Sequence, residues 1–407
     1  MDGSRQQTRV KRRRVFYIPG YDPLPPRRYR EIYRKEAARQ AAVSGHVIAI
    51  SPGRDRKHYG WHVQAEIEGA PVVTDVEVMV WSDIVRRSMD VSIAGTYLLL
   101  ARTAWIYAST GALGRLLRLR KGPVIAAFYP VAMLLGQGLA AGLAGWGGGA
   151  LVGALLHPLA GWAVGIALAI ALLRWFRRLD GRLYAHYLLH DYAFCARHRG
   201  ANPPEIEERL ARFRARIAQA LESGEVDEVL VVGHSSGAHL AVNIVADILR
   251  EGRARPDGPA LSLLTLGQVV PMVSFLPRAG RLRADLRLLS TSERIAWVDV
   301  SAPGDGACFA LCDPVAVSGV APEQGQRWPL VISAAFSRTL SPARWRALRW
   351  RFFRLHFQYI HAFDRPGDYD YFRITAGPLT LGARYAGRRP SKSRIDTPLS
   401  PHRSMAA

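Results

Sequence analysis

The sequence from residue 226 to residue 241 reads VDEVLVVGHSSGAHLA, and this stretch decides the fold. Residues 229–232 are an apolar run typical of a buried strand, and from Leu240 onward apolar residues recur at the spacing of a helix. Between the two, Gly233 and Gly237 flank a pair of serines in the pattern G-x-S-x-G. In that context the pattern is typical of a sharp turn that exposes the hydroxyl of Ser235 as a nucleophile. The alternative interpretation is a structural turn that happens to contain two serines.

With this turn the chain resembles the α/β-hydrolase superfamily, and two further segments agree. Residues 15–22, VFYIPGYD, end in a glycine turn similar to the early turn of that family, although Pro19 stands where many members carry histidine. Residues 356–359, HFQY, resemble the loop that carries the family's catalytic histidine. The resemblance covers roughly residues 10–60 and 180–380. It implies an α/β fold with a mostly parallel sheet and helices on both faces.

The resemblance also implies a catalytic triad in the chain order serine, acid, histidine, with Ser235 as the nucleophile. We expect the histidine to be His356, because the family often has an aromatic residue three positions later and Tyr359 stands there. His361 follows within the same segment and is the alternative.

The acid of the triad is expected in a loop after a late strand. Residues 295–300, IAWVDV, have the pattern of such a strand, and the loop SAPGDG that follows contains Asp305 between two glycines. Asp299 inside the strand and Asp313 further along the chain are the alternatives. By the same resemblance, the main-chain N–H groups of Tyr21 and Ser236 are expected to form the oxyanion hole.

The stretch from residue 122 to residue 173 contains no Asp, Glu, Lys or Arg in 52 consecutive positions. Because one helix needs about 20 apolar residues to cross a bilayer, the stretch predicts two transmembrane helices, at about residues 123–145 and 150–173. Gly147 to Gly149 are expected to form the turn between them. The alternative is a buried helical hairpin in the core of a soluble protein.

Basic residues flank this hairpin on both sides, in residues 115–121 and 174–182. Positive charge at both outer ends predicts that both lie on the cytoplasmic side. Upstream, residues 91–111 are also apolar, but Arg102 stands in the middle. We expect an interfacial helix there, with a third membrane span as the alternative.

The chain carries a formal net charge of +22, from 55 Lys and Arg against 33 Asp and Glu, which favours an anionic partner. Residues 344–354, RWRALRWRFFR, alternate arginine with aromatic residues and predict binding to anionic membrane lipids. One alternative is a lid helix whose arginines are solvated. Another is binding to nucleic acid, which a membrane-bound chain does not favour. We expect no cofactor and no metal, since Cys195, Cys308 and Cys312 have no metal-binding spacing.

The predicted function is that of a membrane-anchored serine hydrolase, similar to esterases and lipases, that cleaves an ester or thioester through an acyl-enzyme intermediate. The alternatives are an acyltransferase with the same triad and a non-catalytic, membrane-anchored interaction protein. The predicted organisation is a basic tail (1–14), the first part of the α/β domain (15–90), an interfacial helix with its basic flank (91–121), the hairpin (122–174), the second part of the α/β domain (175–385) and a disordered tail (386–407).

Overall fold

A computed structural model describes residues 8–53, 55 and 57–406. Those residues form an α/β architecture around one eight-stranded sheet with the strand order β2-β3-β4-β1-β5-β6-β7-β8. The strands are β1 (Arg12–Ile18), β2 (Val47–Pro52), β3 (Gly60–Ile67), β4 (Ala70–Val78), β5 (Glu228–His234), β6 (Ala260–Leu266), β7 (Ile295–Ser301) and β8 (Leu330–Ser333).

The helices lie between these strands in the chain and after β8. They are α1 (Arg27–Ser44), α2 (Ser82–Met89), α3 (Ile93–Ser109), α4 (Ala112–Leu119), α5 (Lys121–Leu155), α6 (Pro158–Arg178), α7 (Asp180–Leu183), α8 (Ala185–Arg197), α9 (Pro204–Glu222), α10 (Gly237–Arg250), α11 (Val270–Ser274), α12 (Gly280–Thr291), α13 (Pro314–Val317), α14 (Phe336–Thr339), α15 (Pro342–Leu348), α16 (Phe352–His356), a 3₁₀ helix (Gln358–Ile360), α17 (Tyr371–Ala376) and α18 (Leu381–Arg384).

The sheet is mostly parallel and is covered on both faces. From β4 to β8 every neighbouring pair runs parallel, while β2 and β3 add an antiparallel edge. Successive residues of β1 face opposite cores, as the pleat of a strand requires: Val15 and Tyr17 pack with residues of α1 and α17, and Phe16 and Ile18 with residues of α9 and α10. The sheet therefore separates two helical layers, with apolar cores on both sides.

The predicted basic tail ends earlier than expected, because residues 12–14 belong to β1. Arg13 is only 1% exposed, and its Nε donates to Glu228 Oε2 on β5 over 2.6 Å. Its Nη1 donates to the carbonyl of Gly377 over 2.8 Å. In the sequence, a run of arginines suggests solvent exposure. Because side chains alternate along a strand, Arg13 points inward, and an ion pair and carbonyl oxygens accept the hydrogen bonds of its guanidinium.

The long uncharged stretch forms the two helices α5 and α6, which are long and apolar enough to cross a membrane. The predicted positions of the spans and the turn need correction. Gly147 to Gly149 lie inside α5, and the chain reverses at Leu156 and His157 instead. At that reversal Nδ1 of His157 accepts a hydrogen bond of 3.2 Å from the N–H of Leu159 and so caps α6.

Glycines remain helical here because they form the contact between α5 and α6. A Cβ added at Gly149 would lie 2.8 Å from the carbonyl oxygen of Gly161, and one at Gly145 would lie 2.6 Å from that of Gly165. These distances leave no room for a side chain, so the two backbones touch directly.

The segment expected to be disordered packs on the α/β domain over residues 386–406. The N–H of Ser391 donates to the carbonyl of Val331 over 2.9 Å, and Ile395 pairs with Cys312. The carbonyl of Ser404 accepts a hydrogen bond of 2.6 Å from Nε of the buried Arg283. The prediction of disorder is therefore wrong for these residues, because their main chain satisfies polar groups of the domain.

Candidate active site

The candidate nucleophile stands on a strained turn between β5 and α10. Ser235 has a φ of 56°, in the left-handed region that residues with side chains rarely adopt. Its N–H donates to the carbonyl of Leu266 at the end of β6 over 2.9 Å. A Cβ at Gly237 would collide with the carbonyl oxygens of Ile18 and Pro19. The glycine pattern is therefore needed to bring the serine turn against the end of β1.

The turn after β1 lies directly beside this serine. A Cβ added at Gly20 would stand 2.9 Å from Cβ of Ser235. Within the described residues, the main-chain N–H groups of Tyr21 and Ser236 donate no hydrogen bond to the protein. These are the two groups expected to bind an oxyanion, and both remain available for that purpose.

Three side chains fix the turn at Tyr21. Nε1 of Trp81 donates to the carbonyl of Pro19 over 2.9 Å. The carboxylate of Asp22 accepts hydrogen bonds from the N–H of Leu24, over 2.9 Å, and from the hydroxyl of Tyr29, over 2.6 Å. The turn is therefore held rigid before any substrate binds, as an oxyanion hole requires.

His356 and Asp305 form a buried hydrogen-bonded pair. Nδ1 of His356 lies 2.7 Å from Oδ2 of Asp305, which also accepts a hydrogen bond of 3.0 Å from the hydroxyl of Tyr359. The other oxygen of Asp305 accepts from the N–H of Ala307 over 2.9 Å. Since Nδ1 faces the carboxylate, it carries a proton, and Nε2 is the nitrogen left to accept one from a substrate or a nucleophile.

Charge and burial compete at this pair. Burial alone would lower the pKa of His356, but the charge and hydrogen bond of Asp305, with a contribution from Asp191, raise it above the ordinary value. Burial would likewise raise the pKa of Asp305, but the charge and hydrogen bond of His356 and the bonds from Ala307 and Tyr359 hold it below the ordinary value. The carboxylate is therefore ionised and stabilises the imidazolium form of His356.

His234, directly before the candidate nucleophile, positions His356. The two imidazole rings stack with centroids 5.0 Å apart, and Nε2 of His234 donates to the carbonyl of His356 over 3.0 Å. Burial and the neighbouring His356 lower the pKa of His234 to about 3. His234 is therefore neutral and acts as a fixed donor that holds the backbone of His356.

Ser235 and His356 flank the same glycine at the end of β6. Leu266 binds the N–H of Ser235, and a Cβ added at the next residue, Gly267, would lie 3.1 Å from Cε1 of His356. Within the described residues the Ser235 hydroxyl makes no hydrogen bond to His356. Such contacts often tighten only when substrate binds.

The alternative histidine and acids have other partners. Nδ1 of His361 lies 2.6 Å from the carbonyl oxygen of Phe357. Oδ1 of Asp299 accepts from the hydroxyl of Thr265 over 2.6 Å, and burial raises the pKa of Asp299 to about 8. Asp313 caps α13 by accepting from the N–H groups of Val315 and Ala316. The structure therefore pairs His356 with Asp305 and with neither alternative acid.

A further carboxyl group, Asp191 on α8, lies at this site and was not expected from the sequence. Its Oδ1 accepts a hydrogen bond of 3.2 Å from the hydroxyl of Ser236. Burial raises the pKa of Asp191 to about 7, while the bond from Ser236 and the charge of His356 oppose this increase. No motif surrounds Asp191 in the sequence, so only the fold reveals its place.

The described residues contain no group of three or more His, Cys, Asp or Glu side chains arranged to hold a metal ion. Comparisons of the chain with protein-family models, with curated proteins and with solved structures find no match.

Proposed function

We propose that this chain is a serine hydrolase of the α/β-hydrolase fold that cleaves an ester or thioester through an acyl-enzyme. One observation carries the proposal: the buried Asp305–His356 pair lies at the sheet edge where Ser235 adopts a left-handed conformation. The free N–H groups of Tyr21 and Ser236 lie at the same edge. Nucleophile, base, orienting acid and oxyanion donors are the complete set that acyl transfer requires.

In the proposed mechanism, Oγ of Ser235 attacks the carbonyl carbon of the substrate while Nε2 of His356 takes the hydroxyl proton. The negative oxygen of the tetrahedral intermediate accepts hydrogen bonds from Tyr21 and Ser236. His356 then gives its proton to the leaving alcohol or thiol, and the acyl group stays on Ser235. Water, activated in the same way, releases the acid; an alcohol or amine acceptor in its place would make the enzyme an acyltransferase.

We further propose that α5 and α6 span the membrane as a hairpin and that the α/β domain lies on the cytoplasmic side. Few residues of either helix are buried, and the exposed side chains include Trp146 at 75% and Trp162 at 73%. A soluble protein would not leave so large an apolar surface in water. The basic flanks at both outer ends support this orientation.

The substrate is then an amphipathic or lipid-derived ester that reaches the site from the membrane surface. The loop of Asp305 supports this: a Cβ at Gly306 would lie 3.4 Å from the ring of Phe352, and a Cβ at Gly122, where α5 begins, would lie 3.5 Å from Cα of Gly306. Phe352 is 50% exposed and Trp350 is 72% exposed. These aromatic residues, among exposed arginines, suit contact with anionic lipids beside the site.

Labelling with a fluorophosphonate probe tests the proposed chemistry. The wild-type chain should be labelled and Ser235→Ala should not. Ser236→Ala is the matched control, because Ser236 contributes its main-chain N–H, which the substitution keeps, and labelling should persist. Labelling that survives Ser235→Ala would refute the assignment of the nucleophile. No labelling of the folded wild type would favour a non-catalytic interaction protein on the same scaffold.

A further inference from the structure

A groove of about 710 Å³ lies between the beginning of α3 and the last two turns of α6. Ile93, Ala94 and Tyr97 line it from α3, and Ile170 and Leu173 line it from α6. The hydroxyl of Tyr97 donates to the carbonyl of Leu134 on α5 over 2.9 Å, which ties α3 to the hairpin. The groove is therefore part of the hairpin's outer surface and has apolar walls.

One end of the groove is strongly basic. Arg174, Arg177 and Arg178 line it, and their spacing puts them on one face at the end of α6. Within the described part of the chain, none of the three makes an ion pair or hydrogen bond with the protein. The nearest carboxylate in sequence, Asp180, instead accepts from the N–H groups of His186 and Tyr187 at the beginning of α8. Among the described residues, the three positive charges at the groove therefore have no ion-pair partner.

The order of these groups matches one class of ligand. Along α6 the apolar residues come first and the arginines follow at the end of the helix. A phospholipid has the same order, with acyl chains toward the bilayer interior and phosphate at its surface. The outer side of α3 exposes Leu98 at 72% and Trp105 at 70%, as expected of a helix at the membrane interface.

We propose that this groove binds an anionic phospholipid, with its phosphate on Arg174, Arg177 and Arg178 and an acyl chain against Ile93, Ala94 and Leu173. The proposal rests on the proposed membrane-spanning hairpin. It does not depend on the reaction at Ser235. A general basic flank would attract anionic lipids diffusely, whereas this groove binds one lipid molecule at a defined position.

Native mass spectrometry of the full chain, purified in detergent and stripped of lipid, tests the proposal. Titration with dioleoylphosphatidylglycerol should show one tight site, at least about tenfold tighter than for dioleoylphosphatidylcholine. The triple variant Arg174→Gln, Arg177→Gln, Arg178→Gln should lose this preference. The variant Ala94→Trp, which fills the groove without changing charge, should weaken binding of the same lipid.

The matched control removes three charges from the other flank of the hairpin, with Arg115→Gln, Arg118→Gln and Lys121→Gln. It should keep the tight site; equal loss in both triple variants would overturn the proposal in favour of diffuse attraction. Displacement of the lipid by millimolar inorganic phosphate would overturn it in favour of a free-anion site. Fluorophosphonate labelling of Ser235 should remain unchanged in every variant. A wild type that binds the lipid but is not labelled would refute only the hydrolase proposal.

Discussion

The hydroxyl of Ser236, the residue after the candidate nucleophile, donates a hydrogen bond of 3.2 Å to Oδ1 of Asp191 on α8. Helix α8 follows the hairpin closely, and the hydroxyl of its Tyr187 also donates to the carbonyl of Tyr21. One helix therefore contacts both residues that are proposed to form the oxyanion hole. A titratable carboxyl group at this position makes the charge of the site depend on pH near neutrality.

We predict a bell-shaped pH profile for hydrolysis of a p-nitrophenyl ester. As pH rises through the pKa of His356, the imidazole loses its proton and can act as a base, so the rate increases. As pH rises through the pKa of Asp191, about 7, its carboxyl group ionises. The negative charge then opposes the developing oxyanion, so the rate decreases.

The variant Asp191→Asn should remove the decreasing part of this profile, because an amide does not titrate and still accepts the bond from Ser236. It should also move the increasing part to lower pH, since the charge of Asp191 raises the pKa of His356. The described groups that interact with Asp191 come from several elements. They are His356 from α16, Ser236 from the turn between β5 and α10, Cys195 and the hydroxyls of Tyr187 and Tyr192 from α8, and the hydroxyls of Tyr21 and Tyr107. Burial raises the pKa of Cys195 and of these tyrosines, so none of them ionises near neutrality. A decreasing limb that persists in Asp191→Asn would contradict the prediction.

Variants of Asp305 and of the alternative acid, Asp299, test which of the two orients His356. Asp305→Asn should lower kcat by about 10⁴-fold, because an amide cannot stabilise the imidazolium or hold the correct tautomer. Asp299→Asn should leave kcat nearly unchanged, because Asp299 bonds to Thr265 and not to His356. Steady-state kinetics and thermal melts of both folded variants provide the measurement. A loss confined to Asp299→Asn would reverse the assignment.

Variants of His356 and His361 test in the same way which histidine is the base. His356→Ala should abolish fluorophosphonate labelling, because in the proposed mechanism His356 takes the proton of the Ser235 hydroxyl. His361→Ala should retain it, because Nδ1 of His361 bonds to a main-chain carbonyl. Circular dichroism should show that both variants are folded. Labelling that survives His356→Ala would show that the base lies elsewhere.

The sequence was sufficient to predict the glycine turn between β5 and α10, because strand, turn and helix are contiguous and their pattern is local. The approach of Asp305 to His356 was predictable only through the resemblance, since 51 residues separate them. Asp191 could not be predicted: it stands 45 residues before Ser236, on a helix whose pattern indicates nothing more than packing. Its place at the site follows only from the fold, which positions α8, after the hairpin, beside the turn that carries Ser235 and Ser236.

Two errors of prediction have a common cause. Glycines 147–149 suggested a turn, and the polar tail suggested disorder, because both inferences used composition alone. In the structure Gly149 contacts Gly161, and Ser404 accepts a hydrogen bond from Arg283. Long-range contacts therefore decided the conformation in both places, and a single sequence does not show them.

The proposed membrane hairpin predicts on which side of the membrane its ends and its tip lie, and accessibility labelling can test this. Arg115 and Arg182 flank the hairpin, both are exposed, and Leu156 at its tip is 78% exposed. A single cysteine at each of these three positions should react with a membrane-impermeant maleimide only when the reagent is added to the side of the membrane on which the residue lies. Arg115→Cys and Arg182→Cys should react only from the side of the α/β domain, and Leu156→Cys only from the opposite side. Cys308 and Cys312 are buried and should give little background, and Cys195→Ala removes the third thiol.

If Leu156→Cys reacts from the same side as the other two, α5 and α6 do not cross the bilayer. If Arg115→Cys and Arg182→Cys react from opposite sides, an odd number of segments between these two residues crosses the bilayer, so only one of α5 and α6 spans it.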